Sequence, residues 1–140
     1  MPKRIYLTTA NNLTILDYTL DMSSAYAWFS NAEDDMEAAE LMHDSEKFSQ
    51  AAFLYQQTAE KALKAVLINK NAGAPRSHDC FILAKKADAP QYVKDAANSL
   101  TPYYVRTRYP DSEALTLDKT EIDKVRSDCE EVLEWTRNNF

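Results

Sequence analysis

Apolar residues recur mostly every three or four positions along this chain, a spacing that predicts helices over most of its length. The strongest run covers about residues 46–70, where Phe48, Ala52, Tyr55, Ala59, Ala62 and Val66 fall on one stripe. On the opposite side Gln57, Glu60, Lys61 and Lys64 gather into a compact polar patch. Ala51, Ala52, Ala59, Ala62 and Ala65 leave room for close approach by another helix. At ~1.5 Å per residue such a helix is roughly 35–40 Å long and spans a small domain. The segment Asn71-Ala72-Gly73-Ala74-Pro75 stops it, because Gly suits a left-handed cap and Pro cannot continue a helix.

The same spacing predicts four further helices. The first covers about residues 24–43, capped by Ser23 or Ser24. Trp28, Ala32, Ala39 and Met42 line its inner side, widened by Ala25, Met36 and Leu41, and Glu33, Asp34, Asp35, Glu37 and Glu40 form an acidic outer face. A short helix opens at Ser77 or Asp79, and another runs over about 90–104 behind Pro90. Thr120 and Asp123 have the spacing of a capping box for the last helix, about 120–138. There Ile122, Val125 and Cys129 face inward, and Asp128, Glu130, Glu131 and Glu134 face outward. Residues 1–22 break the pattern. Ile5 to Thr9 and Leu13 to Leu16 are β-prone runs around Ala10-Asn11-Asn12, which fits a hairpin or an extended arm. The expected fold is therefore all-α: an up-and-down bundle of four to five helices over residues 23–140, behind a short β-prone N-terminal arm or hairpin over residues 1–22.

Composition supports helices, since one Gly and five Pro among 140 residues are too few for a protein built of tight turns. Two cysteines inside predicted helices do not form a disulfide framework, and they read as reduced thiols. Two Cys and two His lack ligand-pair spacing for zinc, so no metal and no cofactor is expected. No secretory leader and no long apolar run is visible, which gives the expectation of a soluble, cytoplasmic protein without a membrane span. The net charge of −6 hides an asymmetry. From Lys61 to Arg108 nine Lys and Arg face three Asp, a net +6, so the flanks sum to −12. A basic middle of this kind suits a phosphate group, and it equally suits alternating solvated helix faces.

Three stretches carry candidate chemistry. His78 stands at a predicted helix start, where backbone N–H groups attract anions, with Arg76 and Ser77 beside it; the plainer reading is a loop-fixing histidine. Tyr103-Tyr104-Val105-Arg106-Thr107-Arg108-Tyr109-Pro110-Asp111 interleaves aromatics with two Arg, a combination that stacks a base and holds a phosphate, or closes a core and pairs with acids. Glu40-x-x-His43 has the one-turn spacing of an iron ligand pair, but no second copy exists, and a solvated face accounts for it.

Taken together, these stretches resemble the HEPN family of small α-helical proteins. The likeness covers about Tyr26 to Phe140. It rests on WFSNAEDDMEAA (Trp28 to Ala39), on AFLYQQTAEKALKAVL (Ala52 to Leu67) followed by Ser77-His78-Asp79 and Leu83, and on YYVRTRYPD (Tyr103 to Asp111). The resemblance implies a helical bundle, usually dimeric, in members that often stand beside a minimal nucleotidyltransferase in toxin–antitoxin-like pairs. Many members are metal-independent RNases with an Arg followed, after a gap of four to six residues, by a His. Here Arg stands at 4, 76, 106, 108, 126 and 137 and His at 43 and 78, so no Arg precedes a His at that spacing.

The resulting expectation is a binding module without catalytic residues. It would be a homodimer that engages a nucleotidyltransferase partner and a nucleotide or RNA phosphate. Lys61, Lys64, His78, Tyr104, Arg106 and Arg108 are the candidate phosphate contacts, and Gln57, Glu60, Asp79 and Tyr109 the candidate structural polar network. The alternative is an RNase toxin with a non-standard site, His78 acting as base and Arg76, Arg106 or Arg108 clamping phosphate. A third reading makes the same residues an ion-pair network that fixes the bundle's register.

Overall fold

The structure, a computed structural model, describes residues 12–108 and 116–140, with side chains described from residue 24 onward. The described residues form six helical segments: α1 (Asn12–Asp44), α2 (Phe48–Asn69), α3 (Cys80–Lys86), α4 (Gln91–Leu100), α5 (Tyr103–Arg106) and α6 (Lys119–Asn138). There is no strand among the described residues, and no helix there is long and apolar enough to cross a membrane.

The central element is α2. It packs most extensively on α1, next on α6, and meets α3, α4 and α5 as well. Its predicted stripe is core: Ala52, Tyr55, Ala59, Ala62 and Val66 are fully buried, and so are Ala51 and Ala65. The polar side is not solvated as its pattern suggests. Gln56, Glu60 and Lys64 are buried too, because α1 and the turn before α3 cover that face. Periodicity registers the boundary between apolar and polar side chains, and a helix covered all round has polar groups satisfied internally rather than by water.

The expected N-terminal hairpin is corrected from Asn12 onward, where the chain is already α1. Residues 1–11, with the first β-prone run, lie outside the described residues. Once the well-packed part of α1 has formed, each added residue extends a helix already nucleated, whereas a lone hairpin is marginal. Leu41, expected inside, is 60 % exposed, while Asp128, expected outside, is buried and held by Lys124 Nζ at 2.7 Å.

Several boundaries shift for local reasons. Asn71, with φ 61°, takes the left-handed position after α2, ahead of Gly73, and its neighbour Ala72 N–H returns to Leu67 O at 2.8 Å. The predicted single helix over 90–104 breaks at Pro102, which has no N–H to donate, leaving α4 and the one-turn α5. Asp118 rather than Thr120 caps α6, accepting from Glu121 N–H at 2.8 Å.

Candidate functional site

The carboxylate of Glu60 lies at the junction of α1, α2 and the turn before α3. Lys64 Nζ, one turn on, donates to Glu60 Oε2 at 2.9 Å. Gln56 Nε2 and Gln57 Nε2 donate to Oε1 at 3.1 and 3.3 Å. Gln56 also donates to His78 O at 3.2 Å, which ties the turn to α2. His78 Nδ1 completes the set, 3.1 Å from Oε2. A carboxylate only accepts, so Nδ1 carries the hydrogen in this bond. The Lys64 ammonium sits 5.4 Å from the centre of the Trp28 ring, a cation–π contact that closes the network toward α1. Both members of the Glu60–Lys64 pair are nearly inaccessible, with side chains 5 % and 6 % exposed.

His78 is different, since its side chain is 49 % exposed. Its ring stacks on Tyr104 with centroids 4.0 Å apart and planes 12° apart. Arg108 lies over the same tyrosine, its guanidinium carbon 4.8 Å from the ring centre, and Nη1 donates to Tyr104 Oη at 2.7 Å. Phe53 of α2 backs Tyr104 at 6.4 Å. Glu60, His78, Tyr104 and Arg108 thus form one continuous chain of contacts from a buried anion to an exposed cation.

The other candidates stand elsewhere. Lys61 is paired with Asp35 at 2.7 Å and Asn31 at 2.6 Å on α1. Arg106 pairs with Glu121 of α6 at 3.1 Å and covers the Tyr103 ring at 4.7 Å. Burial and the bond from its hydroxyl to Glu121 push the Tyr103 phenol up to about 12. Asp79 caps α3, accepting from Phe81 and Ile82 N–H at 2.9 and 3.2 Å, and Cys80 N–H is taken by Thr101 Oγ1 at 3.1 Å. The helix-start anion site expected beside His78 is therefore filled by the chain's own acceptors. Tyr109 lies outside the described residues.

The spacing singled out Glu40 and His43 but not the partners they meet in a second polar cluster. His43 is not on a solvated face. It is buried, with Nδ1 2.8 Å from Tyr55 Oη and Nε2 2.9 Å from Asp123 Oδ1, while Glu40 pairs with Arg126 at 3.2 Å. Burial holds the Tyr55 phenol well above its usual range, so the hydroxyl keeps its hydrogen. Among the described residues no group of three or more His, Cys, Asp and Glu is placed to hold a metal. Of the residues missed, Gln56 could have been found from the i, i+4 spacing of Gln56, Glu60 and Lys64. The contacts of Trp28 and Phe53 had no local signal.

The profile of the HEPN domain family matches residues 25–139. Two solved structures share the architecture. The protein TT1696 from Thermus thermophilus superposes with a TM-score of 0.74 at 24 % identity, over 83 % of this chain and 98 % of its own. ST0689, described as an archaeal HEPN homologue, gives 0.72 at 24 % identity, over 81 % of this chain and 95 % of its own. At that identity the likeness speaks for the fold alone. No curated protein matches the sequence significantly.

Proposed function

The chain belongs to the HEPN domain family, and on that premise we propose that it is a cytoplasmic, homodimeric binding module over residues 23–140 that engages a minimal nucleotidyltransferase partner and holds a nucleotide or RNA phosphate at the corner formed by His78, Tyr104 and Arg108. The observation that carries the phosphate reading is the pairing of the cations. Lys61, Lys64 and Arg106 each face a carboxylate, whereas among the described residues the guanidinium of exposed Arg108 rests on an aromatic ring and a hydroxyl. A ring and a hydroxyl orient a guanidinium through contacts that carry no opposite charge, which suits planar recognition of phosphate oxygens. The exposed His78 ring and Tyr104 offer a base a stacking edge beside it. Calorimetric titration with AMP and with a short RNA tests this reading: heat that disappears in Arg108→Ala supports it, and the absence of heat with either ligand rejects it. Light scattering tests the dimer, and a single-copy mass rejects that part.

The Glu60–His78 bond favours one second reading, the RNase with a non-standard site. A histidine whose Nδ1 is held by a carboxylate presents Nε2 as a base for a 2′-hydroxyl, and Arg108 would then stabilise the developing charge. RNA cleavage by the pure protein, lost in His78→Ala, would establish it; intact RNA after long incubation would exclude it.

A further inference from the structure

Between Lys70 and Lys94 the chain carries five cations, Lys70, Arg76, Lys85, Lys86 and Lys94, against two carboxylates, Asp79 and Asp88. None of the five pairs with a carboxylate among the described residues. Asp79 is committed to the cap of α3, where it accepts from Phe81 and Ile82 N–H. The fold gathers these cations around that one short helix. Lys85 and Lys86 stand exposed in its last turn, and Arg76 is exposed ahead of it. Lys70 reaches across from the end of α2 and donates to Ala87 O at 3.0 Å. Lys94 stands two turns before Thr101, whose hydroxyl takes Cys80 N–H, so it lies on the side of α4 that meets α3.

The residues of α3 that are not buried, Phe81, Ile82, Lys85 and Lys86, form one stripe. It begins beside His78, whose ring stacks on Tyr104, and ends ~10 Å further on at the two lysines. We infer that a single-stranded RNA lies along this face, with one base at the His78–Tyr104 ring pair and the following phosphates running down α3 to Lys85 and Lys86. The inference rests on the phosphate corner proposed above, and it names the ligand as a strand rather than a free nucleotide. A mononucleotide held at that corner ends short of the lysines, whereas a strand brings one negative charge per nucleotide past each of them. Every phosphate so neutralised releases condensed counterions, which is the driving force. About four nucleotides, the lower end of single-strand site sizes, cover the distance. Ile82, 40 % exposed, and partly exposed Phe81 give the intervening bases an apolar surface. An acidic polypeptide matches the charge but has no planar base for the ring pair.

The test follows the fluorescence anisotropy of a labelled single-stranded RNA hexanucleotide with the full chain over a range of salt, beside calorimetry with AMP. At about 0.15 M salt the RNA is expected to bind at least tenfold more tightly than AMP, the gain from a few added phosphate contacts. The double variant Lys85→Gln, Lys86→Gln, exposed at both positions, should lose about tenfold in RNA affinity at that salt. Its log–log salt slope should be shallower by about 1.4, two phosphate contacts on a single strand, and its AMP affinity unchanged. Asp88→Asn keeps a residue that tolerates the φ of 57° and removes a negative charge beside the face, so RNA should bind about threefold more tightly. The inference is overturned if the double variant keeps the wild-type RNA affinity and slope. It is also overturned if RNA binds no more tightly than AMP, or if a hexaglutamate peptide displaces the RNA at equal concentration. RNA binding that depends on Lys85 and Lys86 without any heat from AMP removes the corner and keeps the α3 face. AMP binding lost in Arg108→Ala, with RNA indifferent to the two lysines, keeps the corner and removes the face.

Discussion

Replacing Lys64 with Met keeps most of the side chain's volume against Trp28 and removes only the ammonium. In the wild-type protein that ammonium lies 2.9 Å from Glu60 Oε2, with both side chains more than nine-tenths buried. The variant strands a carboxylate at the centre of the bundle. Removing one partner of a buried ion pair destabilises by ~3–5 kcal/mol. Gln56, Gln57 and His78 still donate to Glu60, so the lower half of that range, about 3 kcal/mol, is the expectation. In a domain of 140 residues this lowers the melting temperature by roughly 10 °C. The double variant Lys64→Met, Glu60→Gln removes the stranded charge and keeps an amide that can bond its neighbours, so it should recover at least half of the loss. Urea unfolding followed by far-ultraviolet circular dichroism gives all the values. A loss under about 1 kcal/mol for Lys64→Met would refute the reasoning, because that is the scale of an exposed pair. No recovery in the double variant would show that the carboxylate itself, and not its isolation, matters.

Further outcomes follow from single contacts. Tyr55→Phe removes the hydroxyl that satisfies buried His43 Nδ1 and should cost ~1–3 kcal/mol in the same urea assay. Asp79→Ala leaves the first turn of α3 uncapped and should cost ~0.5–2 kcal/mol, with faster hydrogen exchange at Phe81 and Ile82. Burial pushes the thiols of Cys80 and Cys129 well above their usual range, and Tyr103 rises to about 12. The folded protein therefore keeps protons that the unfolded chain sheds. Its stability should be fully present below about pH 8.5 and fall as the pH rises beyond it, read as a lower urea midpoint at pH 9.5 than at pH 7. For the same reason a thiol reagent should find neither cysteine in the native protein and both after denaturation.

The helical stripes were legible because apolar spacing survives in any environment that has one dry side. Tyr55, Ala59 and Val66 are core as their positions suggest. What the spacing could not distinguish was a polar face turned to water from a polar face turned to other protein. Glu60 and Lys64 look like any surface i, i+4 pair, and only the approach of Trp28 and the His78 turn, distant in sequence, makes them interior. Asp128 and His43 escaped for the same reason. The stretch around His78 and the Tyr104–Arg108 segment did stand out, through the density of aromatics and cations. Their stacking depends on Pro102 breaking the helix before Tyr103, and the pattern alone ran that helix straight through. Residues 12–22 show the opposite limit: β-prone composition was overridden by continuation of a helix anchored further along.

The polar residues of the corner divide into those that hold the fold, Glu60 and Lys64, and those proposed to hold a ligand, Arg108 with the exposed edge of His78. The most direct test of that division measures melting temperature and AMP affinity side by side for Arg108→Ala. The expected melting temperature is within about 2 °C of the wild type, as for an exposed side chain. The expected affinity is at least tenfold lower, on the order of one lost charge-assisted contact. A large fall in melting temperature with AMP binding unchanged would contradict the division and leave the whole corner as architecture.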